Sequence, residues 1–184
     1  MERSNWRGCT AFTRSSRQKY MEDGVQHTFL FADLVGYTAF TERVGDDAAA
    51  DVAVAFQAAA AHMASDFGCE VVKNLGDAVM VRGEDAAHVV GLALQIAREL
   101  SEEAWCPPLR MGVHSGTAVR RGSDWYGATV NVAARLADAA GAGEVLISAA
   151  TRTCLAARDG LTIADRGARS FKNVTAPLSI FSAA

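Results

Sequence analysis

Asp33 and Asp77 are the two acids of this 184-residue sequence best placed for metal chemistry. Asp33 ends the apolar run Thr28-Phe-Leu-Phe-Ala and is followed by Leu34-Val-Gly36-Tyr-Thr38. Asp77 follows Gly76 in Lys73-Asn-Leu-Gly-Asp77, between two short apolar runs. Taken singly, each is ordinary turn chemistry, an Asx turn leading into a helix at Asp33 and a hairpin residue at Asp77. Taken together, they are carboxylates from adjacent central strands, which can hold a pair of Mg²⁺ ions about 4 Å apart for in-line phosphoryl displacement. Two carboxylates without a neighbouring His or Cys suit a hard cation better than zinc. Mg²⁺ commonly takes only one or two protein carboxylates and leaves its other positions to phosphate and water. Gly36 would let backbone amides approach a phosphate closely.

A second set of candidates lies near the C-terminal half. Asn131 and Arg135 are four apart, so on a helix they project from one side, and Asp138 continues that stripe. Such a stripe is either a solvated polar face or a site in which Asn131 holds a ribose oxygen and Arg135 meets developing charge on a phosphate. Arginine suits the latter because its fork is planar and permanently charged. Asp124 precedes Trp125-Tyr-Gly127 in an expected loop before this helix. Lys73 lies four residues before Asp77, and in the plain turn reading of Asp77 the two could form a surface ion pair of little energetic weight across the hairpin.

The elements that must position these residues follow from apolar pattern and turn residues. A strand is expected at 28–33, a helix from about Asp46 to Phe67 closed by Gly68, a hairpin over Glu70–Arg82 turning at Asn74–Gly76, and a helix over Gly83–Ser101. Beyond Pro107-Pro108 come a strand at Leu109–His114, another near Val119, a helix over Thr129–Ala140 and a strand at Val145–Ile147. Ser148 then caps a short helix, and two weaker strands centre on Ala164 and Ser179. The core order is strand, helix, strand, strand, helix, strand. That is an α+β, ferredoxin-like βαββαβ (palm-like) arrangement: an antiparallel sheet with helices packed on one face, and extra C-terminal strands and a helix.

Residues 1–25, with Arg3, Arg7, Arg14, Arg17 and Lys19 among polar residues, read as a flexible leader or linker, and 26–184 as one domain. The net charge of −3 and the lack of a basic stripe argue against nucleic-acid binding. No apolar run is long enough to span a bilayer and no signal-peptide pattern is present, so a cytoplasmic protein is expected. Cys9, Cys69, Cys106 and Cys154 are scattered without zinc or disulfide-scaffold spacing.

In combination these segments resemble a known family. Phe31-Ala-Asp33-Leu-Val-Gly36-Tyr-Thr38, Lys73-Asn-Leu-Gly-Asp77 and Asp124-Trp-Tyr-Gly-Ala-Thr-Val-Asn131-Val-Ala-Ala-Arg135 occur in the order of the three signature segments of class III adenylate and guanylate cyclases. Arg110-Met-Gly-Val-His-Ser-Gly116 and Ser170-Phe-Lys-Asn-Val174 extend the likeness to roughly residues 26–181. The resemblance implies that Asp33 and Asp77, with the Leu34 carbonyl nearby, bind two Mg²⁺ or Mn²⁺ ions. It implies that Lys73 and Asp124 read adenine, Asn131 orients the ribose, Arg135 stabilises the transition state and Lys172 holds the triphosphate. At Lys172 the family usually shows Leu-Lys-Gly where this chain has Phe-Lys-Asn, and Arg120 or Arg121 is a further candidate for phosphate.

The implied activity is conversion of ATP to 3′,5′-cyclic AMP and pyrophosphate. The base preference also has a physical basis. Adenine offers an acceptor at N1 and a donor at its amino group, matching a donor-only Lys73 and an acceptor-only Asp124, whereas guanine reverses the pattern. The family places its site between two domains, one giving Asp33 and Asp77, the other Lys73, Asp124, Asn131 and Arg135. With all six in one chain, a head-to-tail two-fold homodimer with two equal sites is expected. Any sensor is expected in an upstream regulatory domain or on a partner. The competing readings are a catalytically silent nucleotide-binding domain of the same fold, a guanylate cyclase, and a palm-type enzyme making cyclic dinucleotides. The second would need an acid at Lys73 and a small residue at Asp124, and the third a Gly-Gly-Asp-Glu-Phe turn.

Overall fold

The alternation of apolar side chains along 27–34 builds the central strand, because it is buried on both faces. Leu30, Ala32 and Leu34 enter one core, and Phe29 and Phe31 pack on the other side. The computed structural model describes residues 25–155 and 161–184, so the expected leader, apart from Val25, lies outside the described residues. Nine strands are described: β1 (His27–Leu34), β2 (Glu70–Leu75), β3 (Ala78–Gly83), β4 (Leu109–Gly116), β5 (Val119–Arg121), β6 (Asp124–Tyr126), β7 (Val145–Ser148), β8 (Ile163–Arg169) and β9 (Leu178–Ala183). The described helices are α1 (Tyr37–Val44), α2 (Asp46–Asp66), α3 (Ala86–Ser101), α4 (Ala128–Ala139) and α5 (Ala149–Cys154).

Seven strands form one sheet in the order β2-β3-β1-β4-β7-β9-β8, and β5 and β6 pair separately. The first four, with α2 and α3 between them in sequence, are the expected βαββαβ core. Two features differ from the sequence expectation. The β4–β7 pair is parallel, in a sheet otherwise antiparallel. The helices also cover both faces rather than one. Phe56, Ala60 and Met63 of α2 and Val89, Leu92 and Ile96 of α3 pack on the face of Leu30 and Val113. Val130 and Ala133 of α4 pack on the opposite face with Phe29 and Met80. The two differences share one cause. Parallel neighbours need a crossover, and the first face is already occupied, so the connection from β4 to β7 carries α4 across the second face.

The α4 helix lies directly on the β4 backbone. A Cβ on Gly112 would stand 2.5 Å from the Ala133 carbonyl oxygen and closer still to the Ala137 amide nitrogen. Only a residue without a side chain lets the helix approach this far. By contrast α1, into which Asp33 leads, buries no residue, and for that reason no apolar period marks it in the sequence.

Near the start of β1 a chain of polar side chains ties β1, β4, β7 and α5 together. Thr28 Oγ1 bonds Ser115 Oγ at 2.9 Å, the Ser115 hydroxyl donates to Thr151 Oγ1 at 3.2 Å, and His114 Nδ1 bonds Ser148 Oγ at 2.6 Å. Ser148 caps α5 as expected, accepting from the Thr151 amide at 3.1 Å. Burial holds the His114 imidazole down at about 4, so it is neutral in the folded protein.

Replacing Gly112 by Ala is expected to cost about 1–3 kcal/mol, read as a lowered denaturation midpoint, because α4 must lift from the sheet. His114 gives a pH dependence of definite sign. The unfolded chain binds its proton near pH 6.5 and the folded chain only near 4, so stability is full above 6.5 and falls as pH drops through that window. Urea denaturation of a His114→Gln variant between pH 4 and 7 is expected to show a flatter profile than the parent.

Candidate active site

The candidate residues gather on the α4 face of the sheet, in three groups set by strand register. The first group stands at the end of β1. Asp33 pairs across the ladder with Ala78 on one side and Arg110 on the other. The Leu34 amide donates to the Asp77 carbonyl at 3.2 Å, which fixes the β2–β3 turn against the end of β1. The Leu34 side chain itself is core. Asp33 and Asp77 therefore become neighbours although 44 positions separate them in the sequence. Burial first, and then the charge of Asp33, push the Asp77 carboxyl above the usual range, with Arg110 opposing. The Arg110 Nε–H and Nη2–H both donate to Asp33 Oδ2, at 2.7 and 2.5 Å. Arg110 joins this candidate group, although the sequence did not single it out. Its signal is positional, since it stands directly opposite Asp33 on the next strand.

The second group stands two strands away. A register shift between Val71 and Lys73 pairs Lys73 with Met80, whose side chain lies on the α4 face. There the Lys73 ammonium meets Asp124 Oδ2 at 2.8 Å. Lys73 thus pairs with Asp124, the residue with which the resemblance grouped it, and not with Asp77 across the hairpin. Asp124 corrects one expectation, because it opens β6 rather than lying in a loop; a three-residue strand is too short to show an alternation. Its carboxyl is held below the usual range by the Lys73 hydrogen bond and then by the Trp125 amide, which donates to Oδ1 at 2.8 Å. Next to it Trp125 is buried, edge-on to His27 at 4.4 Å and beneath the Arg82 guanidinium at 4.9 Å. This seating gives Asp124 a rigid base. Arg120 lies over the same indole at 5.9 Å and reaches Glu70 at 3.8 Å, while Arg121 donates to the Arg120 carbonyl at 2.9 Å.

The third group belongs to α4 and the turn beyond β8. The helix buries Val130, Val132, Ala133, Leu136 and Ala137 and leaves Asn131 exposed. Arg135 meets Asp138 Oδ2 at 2.9 Å, and the Asp138 carbonyl accepts from Arg110 Nη1 at 3.4 Å, linking this group to the first. Lys172 is exposed in the turn between β8 and β9, which is brought to α4 by Phe171 packing against Val132, Leu136 and Ala140. Asn173, standing where a glycine is usual after this lysine, has φ 65°. The turn needs left-handed backbone, and asparagine tolerates that region better than other side-chain-bearing residues. The unusual Phe-Lys-Asn therefore keeps the backbone conformation a glycine would give.

The first group fits a hard divalent cation. It offers two oxygen ligands side by side, and Asp33 already binds a cation in the form of the Arg110 guanidinium. Among the described residues no three of His, Cys, Asp and Glu come together as a complete metal cage, so the remaining positions would fall to phosphate and water, as Mg²⁺ and Mn²⁺ prefer. The Lys73–Asp124 pair offers a donor and an acceptor side by side, about 10 Å from the carboxylates by strand spacing. The first group can hold a cation with its polyanion and the second can read a polar edge, the two kinds of recognition a nucleotide requires. No helix among the described residues is long and apolar enough to cross a membrane.

The sequence model of the family described as "Adenylate and Guanylate cyclase catalytic domain" matches residues 19–179. An adenylate cyclase of Streptomyces griseus is 35% identical over 120 residues, 65% of this chain and 30% of the relative. A pH-sensitive adenylate cyclase of Mycobacterium tuberculosis is 33% identical over 162 residues, 85% of this chain and 40% of the relative. The chain thus spans about a third of the length of the curated relatives it matches. Among solved structures, a Trypanosoma brucei adenylate cyclase domain described in its monomeric state superposes with a TM-score of 0.80 at 20% identity, covering 86% of this chain and 89% of that one. At that identity the likeness is one of fold.

Proposed function

The chain belongs to the adenylate and guanylate cyclase catalytic domain family, and from that premise we propose that it is an adenylate cyclase. In this reading residues 26–184 are the catalytic domain and 1–25 its leader. The 3′-hydroxyl of ATP attacks the α-phosphorus in line and pyrophosphate leaves, giving 3′,5′-cyclic AMP. The observation that carries the proposal is the Lys73–Asp124 pair, a donor-only group held beside an acceptor-only group. Adenine satisfies both through its N1 and amino group. Guanine would set both groups against the wrong partners, donor against donor and acceptor against acceptor.

Two Mg²⁺ or Mn²⁺ ions held by Asp33 and Asp77, with the Leu34 carbonyl, would supply Lewis acidity at the reacting phosphate and charge neutralisation at the leaving group. The protein's own groups do the rest. Asn131 holds the ribose so that its 3′-oxygen is in line. The Arg135 guanidinium stabilises charge developing on the phosphate in the transition state, for which it must leave Asp138. Lys172 binds the triphosphate as a point charge.

Two chains complete each site. Lys73 and Asp77 lie on one hairpin, yet the first reads the base and the second binds metal beside the phosphates. In a head-to-tail two-fold homodimer Asp33 and Asp77 come from one protomer, and Lys73, Asp124, Asn131 and Arg135 from its partner.

Two measurements test the proposal. Purified protein with Mn²⁺ or Mg²⁺ is expected to convert ATP to cyclic AMP, with the product identified by mass, and to leave GTP largely unreacted. No cyclic product from either nucleotide would return the reading to a silent nucleotide-binding domain. Asp33→Ala and Arg135→Ala variants are each expected to lose activity by 100-fold or more, on the order of an electrostatic stabiliser's usual contribution. Mixed, they are expected to regain up to about a quarter of the parental rate, because one of the two sites in a mixed dimer is intact. Mixed dimers that form without any recovery would refute shared sites.

A further inference from the structure

We propose that Arg82 is a positioning residue that sets base specificity, acting through Trp125 on Asp124 without touching the nucleotide itself. The inference rests on the reading of adenine by Lys73 and Asp124 given above.

The orientation of Asp124 is set from behind. Its Oδ1 accepts from the Trp125 amide at 2.8 Å and its Oδ2 from the Lys73 ammonium at 2.8 Å. The lone pairs that a base can meet therefore point where the Trp125 backbone allows. Trp125 belongs to β6, which pairs only with β5, outside the seven-stranded sheet. A ribbon of two three-residue strands does not hold its place by its own ladder. Its anchor is the Trp125 indole, which is 7% exposed. The indole N–H meets no acceptor among the described residues, so the ring is held by its faces and edges rather than by a hydrogen bond.

Arg82 is the hub of those ring contacts. It stands on β3, opposite Phe29 of β1 and Glu70 of β2. Its guanidinium lies 4.9 Å from the indole centroid. Its Nε–H and Nη2–H both donate to His27 Nδ1, at 3.2 and 2.7 Å, and His27 packs edge-on against the same indole at 4.4 Å. Glu70 lies 3.8 Å from Arg82 and, through its other oxygen, 3.8 Å from Arg120, the second guanidinium over the ring. One side chain thus orders the neighbours that β1, β2 and β5 give to the indole. The Arg82 side chain is 14% exposed, so its contact with the ring is largely desolvated. Met80, two residues earlier on the same face, is core, so an apolar residue would serve the strand equally well; the indole and its neighbours account for an arginine here. Arg82 is five positions beyond Asp77, about 15 Å by strand rise, and stands apart from the metal carboxylates.

Without Arg82 the ribbon loses its main tie to β3 and Asp124 is free to turn. Adenine then loses a well-aimed acceptor for its amino group, while the clash of acceptors that rejects guanine is relieved. ATP loses affinity, GTP gains relative to it, and the groups assigned to the chemical step stay in place.

The test separates position from stability. Affinities of the full chain for non-cyclisable ATP and GTP analogues lacking the 3′-hydroxyl are measured by calorimetry with Mn²⁺, for the parent, Arg82→Leu and Arg82→Lys, together with kcat and KM for ATP and unfolding midpoints. Arg82→Leu is expected to lower the preference for the ATP analogue about tenfold, the scale of one desolvated cation–π contact. The loss falls on analogue affinity and KM, with kcat for ATP within about threefold of the parent. Arg82→Lys keeps the charge over the indole but not the fork to His27, and is expected to fall between the two. A double-mutant cycle with Asp124→Ala decides the route. Because Arg82 acts through Asp124, Arg82→Leu is expected to shift the preference of Asp124→Ala protein by less than about twofold. An equal shift in both backgrounds would overturn the proposal, and so would a folded Arg82→Leu protein with the parental preference. If Arg82→Leu does not fold, Arg82→Lys carries the same cycle under the same two criteria. A parent protein that binds the two analogues equally would strike down the Lys73–Asp124 reading and this inference with it. A parent that prefers the ATP analogue, matched by both Arg82 variants, would remove the inference alone.

Discussion

The close seating of α4 on the bare backbone of Gly112 is the constraint on which the candidate site depends. A sheet with helices on a single face would leave Phe29, Phe31 and Met80 to solvent and give Asn131 and Arg135 nothing to face. Because the β4–β7 connection must cross the sheet and the first face is filled by α2 and α3, α4 lies on the second. Its inward side is apolar and small, and its remaining residues are left to present polar groups beside the strand ends. The same packing draws Phe171, and with it the turn of Lys172, against the helix.

Charge is then distributed by register. Asp33, Asp77 and Arg110 meet because β1 is flanked by β3 and β4 and the Leu34 amide pins the turn at Asp77. Lys73 is withdrawn from that cluster by the irregularity between Val71 and Lys73 and joins Asp124 instead. The main charged candidates thus have partners within the chain: Asp33 with Arg110, Lys73 with Asp124, Arg135 with Asp138. The resting site is therefore internally neutralised to a large degree, and a ligand binds by exchanging these partners for its own groups. Such exchange costs affinity and gains discrimination, since only a ligand that satisfies each freed group recovers the cost.

The two buried polar devices away from the site serve position rather than chemistry. The hydroxyl chain from Thr28 to Ser148, with neutral His114, ties the start of β1 to β4 and to the cap of α5. The Trp125 seat, clasped by His27, Arg82 and Arg120, holds β6 against the sheet so that Asp124 stands beside Lys73. The Trp125 seat places a rigid group one step behind Asp124, which limits how far that residue can stray.

Much was legible in the sequence because it depends on local pattern. The apolar run of 28–33, the turn residues around Asp77 and the apolar periods of α2, α3 and α4 determined the βαββαβ core, and the ordered segments around Asp33, Asp77, Asn131 and Arg135 marked the candidate residues. Local pattern carries no information about which elements meet at a distance. Tertiary structure alone decided that α4 takes the second face, that β7 runs parallel to β4, and that Arg110 closes on Asp33. It also explained Asn173, whose positive φ meets the turn's need for a residue tolerant of left-handed backbone. The physical reason is the same in each case. A residue's own propensity is set by its neighbours in the chain, whereas the partner of a charge is set by strand register and by which face is already covered.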